Sequence, residues 1–137
     1  MNLHISWADL RNYGILLGVF LLIDGLWLTV IAKKLYAQHL GYLMAEKPRL
    51  LAALAFYLLY VVGMLNFAVN PALSAGSWTT ALFSGLLFGF VAYATYDLTN
   101  LATVKGWPLL ITAIDLAWGS FVTAASSVAG YFLIRLF

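Results

Sequence analysis

The sequence predicts an all-α membrane protein, a four-transmembrane-helix bundle with up-down-up-down topology. Three observations carry that expectation. Apolar residues fill 64% of the 137 positions and charged residues only 9%, against roughly 25% charged in a typical soluble domain. Too little polar surface is left to coat a water-soluble globule. Four apolar stretches each approach the roughly 20 residues that a spanning helix needs, and the connections between them are short, which favours antiparallel neighbours. At this length, residues 1–137 read as a single transmembrane domain.

The elements follow in order. The opening M-N-L-H-I-S-W-A-D-L-R-N is polar and mixed in charge, and no small-residue cleavage site follows the apolar run. It is not a convincing cleavable signal. Ser6 and Asp9 fit the S/T-x-x-D/E helix-start pattern. The first span is expected over 13–32, followed by the connection K-K-L-Y-A-Q-H-L-G-Y-L-M-A-E-K-P-R. The second, over 50–69, opens after Pro48 and is expected to end at Pro71, since an interior proline removes a hydrogen bond and clashes with the preceding turn. N-P-A-L-S-A-G-S-W-T-T then leads to a third span over 81–104. After K-G-W-P, the fourth span over 108–134 starts at Pro108. Gly14-x-x-x-Gly18 and Gly85-x-x-x-Gly89 permit close helix approach, and Ser126, Ser127 and Gly130 read the same way. Trp7, Trp78 and Trp107 fall at span ends, where indole rings anchor at the membrane interface.

Direction follows from the basic residues of the short loops. Lys33, Lys34, Lys47, Arg49 and Lys105 belong to the first and third connections, against Arg11 and Arg135 on the other side. Both termini are therefore expected outside, with the first and third connections in the cytoplasm.

Orientation sets depth. At 1.5 Å per residue, Asp24 lies roughly 13 Å inside the edge marked by Lys33, and Asp97 and Asp115 about 12 Å inside Lys105 and Trp107. Tyr57 stands at nearly the same level after Arg49. All four spans thus present a polar group in one layer of the cytoplasmic half. Helical spacing groups Phe20, Asp24, Trp27, Leu28 and Ile31 on the first span, and Tyr57, Tyr60, Met64 and Phe67 on the second. It groups Gly85, Gly89, Tyr93, Tyr96, Asp97 and Asn100 on the third, and Asp115, Trp118, Gly119, Val122 and Ser126 on the fourth. The motifs I-D-G-L-W-L-T and I-D-L-A-W-G-S each place a Trp one turn after an Asp.

An Asp at a helix centre costs about 2.5–3.5 kcal/mol on insertion scales. Interhelical hydrogen bonds recover about 0.6 kcal/mol on average, so three carboxylates acting only as glue would recover the cost poorly. The pattern points to a proton-binding or small-ligand site. Trp27 and Trp118 sit deep enough to line a cavity for an apolar or acyl-chain ligand.

The inventory also excludes. His4 and His39 are too few for the multi-histidine iron sites of membrane oxygenases. No serine neighbours a His–acid pair, and no basic residue shares the aspartate layer to hold a phosphate beside a metal. The absence of cysteine rules out thiolate chemistry. A net charge of +2 without a basic face gives no nucleic-acid footprint. Neither cofactor nor metal is expected.

D-G-L-W-L with K-K-L-Y, F-Y-L-L-Y-V-V-G, the long F-G-F-V-A-Y-A-T-Y-D-L-T-N-L-A-T-V-K-G-W-P and D-L-A-W-G resemble the bacterial predicted membrane proteins of the DUF2177 family. The resemblance covers nearly the whole chain and implies a four-helix inner-membrane protein of no established activity. It carries Asp24, Trp27, Tyr57, Tyr96, Asp97, Asn100, Asp115 and Trp118 over as motif positions without roles. Three functions stay open: binding of a proton or of a small polar or amphipathic ligand, with transport that would need a homodimer; a non-catalytic subunit of a larger membrane complex; and a lipid-modifying enzyme or an accessory to one.

Overall fold

The computed structural model describes residues 5–45, 47 and 49–137. His4 and the proposed helix start at Pro48 lie outside them. Among the described residues there is no strand, and four helices are long and apolar enough to cross a membrane: α1 (Trp7–Leu40), α2 (Leu50–Ala75), α3 (Trp78–Thr103) and α4 (Leu109–Ile134). The protein is a multi-pass membrane protein.

Helix α1 begins as its sequence dictates. The Asp9 amide donates to Ser6 Oγ at 3.2 Å and the Ser6 amide to the Asp9 carboxylate at 3.0 Å, a reciprocal capping box. The helix does not stop at residue 32. It runs 34 residues to Leu40, about 51 Å at 1.5 Å per residue, against about 30 Å of hydrocarbon. Lys33, Lys34 and His39 are helical, and the connection to α2 shrinks to residues 41–49.

Pro71 does not end α2 either. A π turn over Leu65–Val69 precedes it, in which the Asn70 amide reaches back five residues to the Leu65 carbonyl. Widening the turn ahead of Pro71 accommodates a residue that has no N–H and whose ring would clash with the turn before it. Helix α2 continues to Ala75 and closes at Gly76, whose φ of 63° is left-handed. Gly76 and Ser77 then donate to the carbonyls of Leu73 and Ala72 at 3.3 and 3.1 Å, a Schellman closure. The fourth helix starts just after Pro108, whose carbonyl accepts from the Thr112 amide at 3.3 Å.

A second π turn interrupts α1 over Trp27–Ala32. Each π turn spends one extra residue and rotates everything after it about the helix axis. The expected faces fail at these two places. Leu28 keeps to the cavity with Asp24 and Trp27, but Ile31 is 51% exposed, and the buried stripe passes from Leu16, Phe20 and Asp24 to Ala32 and Leu40. On α2, Phe67 is 66% exposed, and Ala68, Val69 and Ala72 are buried instead.

Helices α3 and α4 form the tightest seam. A Cβ on Gly89 would stand 2.6 Å from Thr123 Oγ1 and 2.7 Å from its Cβ, and one on Gly85 would stand 2.9 Å from the Ala124 Cα. The pair Gly85 and Gly89 therefore serves close approach, whereas Gly14 and Gly18 meet nothing within 4 Å inside the chain. Ser126 and Ser127 are buried on the same face of α4. The main core gathers Leu16, Phe20, Tyr60, Met64 and Val122. A smaller cluster sets Leu40 at the end of α1 against Trp107 and Ile111. Trp107 is consequently 8% exposed and is not a belt anchor, while Trp7 and Trp78 remain exposed. Its indole N–H donates to Thr112 Oγ1 at 3.1 Å.

Candidate functional site

Asp24 and Asp115 are 6% and 5% exposed, and both line one cavity of about 580 Å³. Asp24 is held by two donors from other helices. The Tyr57 hydroxyl donates to its Oδ2 at 2.5 Å, and the Trp118 indole N–H to its Oδ1 at 3.1 Å. Asp115 accepts from the Tyr36 hydroxyl on its Oδ1. Helical side chains lean toward the N-terminus of their own helix, so the Tyr36 ring reaches back along α1 toward the bundle interior.

The two Asp-x-x-Trp motifs interlock. Trp27 and Trp118 stack with ring centroids 4.3 Å apart and planes 10° from parallel. The tryptophan of the α4 motif also serves the aspartate of the α1 motif. Gly119 leaves room for Tyr93, whose ring occupies the place a Cβ would take. Tyr60 is engaged elsewhere: its hydroxyl lies 2.6 Å from Thr123 Oγ1, which itself donates to the Gly119 carbonyl at 2.7 Å. Because a threonine has one hydroxyl proton, Tyr60 is the donor of that pair.

Asp97 behaves differently from the other two carboxylates. It is fully buried, neither oxygen has a partner among the described residues, and it does not line the cavity. Asn100 is half-buried on the same helix and also lies outside the lining. Tyr96 lines the cavity but is 59% exposed, edge-on to Trp107 with centroids 5.7 Å apart. Of the residues singled out from the sequence, Asp24, Trp27, Tyr57, Tyr60, Tyr93, Tyr96, Asp115 and Trp118 come together around one space.

The lipid-facing hydroxyls are self-sufficient. Thr95 and Thr103 donate to the Val91 and Thr99 carbonyls at 2.7 and 2.8 Å, and Thr99 to Tyr96 at 2.9 Å. In hydrocarbon every polar group must find such a partner. His39 Nδ1 lies 3.0 Å from the Leu35 carbonyl on its own helix. Among the described residues no three His, Cys, Asp or Glu side chains gather as a metal set.

The family described as predicted membrane protein (DUF2177) matches residues 10–132, a span that contains every residue of this cluster. The chain belongs to the DUF2177 family. That membership agrees with the four apolar helices and leaves the chemistry of the cavity to be read from its residues. No curated protein and no solved structure matches the chain.

Tyr36 and Thr123 escaped the sequence reading of this DUF2177 protein, as did Leu40, Met44, Phe56 and Ala92 of the cavity lining. Tyr36 fell in a stretch read as loop, although K-K-L-Y stood among the motifs, and only the π turn brings it to face Asp115. Thr123 carries no signal in sequence beyond lying one turn after Gly119.

Proposed function

We propose that the protein binds a small polar or amphipathic ligand, or a proton, between Asp24 and Asp115, and that transport in a homodimer extends this binding. One observation carries the reading: the two carboxylates border an open cavity of about 580 Å³ instead of being sealed against each other. Ligand sites commonly enclose about 300–1,000 Å³, mostly apolar, with a few placed polar groups. Carboxylates kept only as helix glue would have no need of that space.

The chain would sit in the bacterial cytoplasmic membrane as one transmembrane domain, with both termini outside. Contact order supports the alternating direction, since Leu16 lies at Gly130 while Asp24 meets Trp118. The basic residues Lys33, Lys34, Lys47, Arg49 and Lys105 support the sidedness. The subunit reading is less favoured, because Thr95, Thr99 and Thr103 spend their hydroxyls on their own backbone and offer no polar face to a partner helix.

Native mass spectrometry of gently extracted protein tests the reading. A small molecule or lipid retained by the wild type and lost from Asp24→Asn and Asp115→Asn is the expected result. Identical spectra for all three proteins, with only the melting temperatures lowered in the variants, would reduce both aspartates to structural glue.

A further inference from the structure

We infer that the cavity accepts a lipophilic cation, an ammonium-type centre carrying apolar groups. The inference rests on the binding reading above and names its ligand class. It starts from a balance of donors and acceptors. Among the described residues the lining contains the two aspartates and no Lys, Arg or His. Four lining donors are spent, Tyr57 and Trp118 on Asp24, Tyr36 on Asp115 and Tyr60 on Thr123, while the Tyr93 hydroxyl and the Trp27 indole N–H, both neutral, have no partner among the described residues. The charge left open in the lining is all on one side, a carboxylate with no cation beside it. Asp115 Oδ2 has no partner among the described residues, yet it is absent from the occluded polar atoms, which are the Asp97 oxygens and the hydroxyls of Ser126 and Ser127. A buried carboxylate oxygen open to a cavity asks for positive charge or a donor. An anionic headgroup would meet two carboxylates and no compensating cation.

The walls fit the same class. The stacked pair Trp27 and Trp118 borders the space with Tyr93 and Tyr96, and aromatic faces attract desolvated cations through their ring quadrupoles. The rim explains why the cation must be lipophilic. Leu28, Phe56 and Tyr96 line the cavity and are 44%, 47% and 59% exposed. All three lie within helices that cross the bilayer, so entry from the acyl-chain region is open to a ligand that partitions there.

Tetraphenylphosphonium and tetraphenylborate, near-identical in shape and opposite in charge, separate charge from fit. Equilibrium dialysis in dodecyl maltoside should give saturable binding of a single tetraphenylphosphonium per chain and none of tetraphenylborate. Asp115→Asn should weaken the cation by about tenfold or more, the equivalent of about 1.4 kcal/mol. Equal binding of both ions, no saturable binding of the cation, or an Asp115→Asn protein that binds it unchanged, overturns the cation assignment. The wild-type comparison needs no variant to fold. A different ligand retained in an Asp115-dependent way in the native mass spectrum would then leave the broader binding reading standing, and loss of both signals would end both.

Discussion

The Tyr57 hydroxyl offers the sharpest test of how the Asp24 corner is built. Tyr57→Phe removes one oxygen and keeps the ring, which packs edge-on to Phe20 with centroids 5.7 Å apart. Asp24 is 6% exposed, so its Oδ2 then loses a donor at 2.5 Å in a place with little bulk water to replace it. Leaving a buried acceptor unsatisfied costs about 1–3 kcal/mol in general, and hydrogen bonds between membrane helices reach about 1.7 kcal/mol at most. We expect a loss of about 1–1.5 kcal/mol. Tyr13→Phe is the control, because the Tyr13 hydroxyl donates at 2.8 Å to the Leu58 carbonyl at an exposed position. There we expect about 0.5 kcal/mol or less. Equilibrium unfolding in bicelles with increasing dodecyl sulfate, followed by near-ultraviolet circular dichroism, reads both. The cycle closes with Asp24→Leu. In that background the Tyr57 hydroxyl has lost its acceptor, so Tyr57→Phe should become neutral or stabilising, a coupling of about 1 kcal/mol or more. If Tyr57→Phe costs the same in both backgrounds, the hydroxyl does not act through Asp24 and the account of this corner is wrong.

Other expectations follow from the same geometry. Gly89→Ala should destabilise by about 1–3 kcal/mol in the same unfolding assay, because Thr123 and the Gly119 backbone occupy the space of the new methyl. Gly14→Ala should change stability by less than about 0.5 kcal/mol or add to it, since nothing lies within 4 Å and alanine favours the helix. Equal losses at the two sites would contradict the packing described. Tyr36→Phe should leave thermal stability within about 1 kcal/mol while speeding hydrogen exchange over residues 33–40, as its bond to Asp115 ties that end of α1 to α4. Unchanged exchange would mean that the cluster of Leu40, Trp107 and Ile111 holds the segment alone. Asp97→Asn should retain whatever the wild type retains in native mass spectra, whereas Asp115→Asn loses it, since Asp115 lines the cavity and Asp97 does not. Loss in both variants would extend the site to the α3–α4 seam.

Much of this was legible before any coordinates, and the misplaced faces on α1 and α2 share one cause. Composition and span length sufficed for four helices, and constant helical spacing correctly grouped Gly85, Gly89, Tyr93 and Asp97 on α3 and Asp115, Gly119, Val122 and Ser126 on α4. Neither of those helices contains a π turn. The errors at Ile31 and Phe67 both fall within π turns, where the helical period changes. In α2 a marker existed: Pro71 was read as a stop, though widening the turn before it is the other way to accommodate a missing N–H. In α1 the run W-L-T-V-I-A carries no proline or glycine, and nothing in it announces a changed period.

The consequence reaches the site itself. The paired Asp-x-x-Trp motifs do not build two equivalent corners. The cavity is instead asymmetric. Trp118 crosses to Asp24, Trp27 contributes the face of its ring, and the hydroxyl on Asp115 comes from Tyr36, beyond the π turn. One extra residue in α1 therefore does two things at once. It turns Ile31 outward, where it is half-exposed along the lipid face, and it turns Tyr36 and Leu40 inward to close the cavity from the far side. An aspartate with one donor and one free oxygen results, and that free oxygen separates a ligand site from a sealed polar contact.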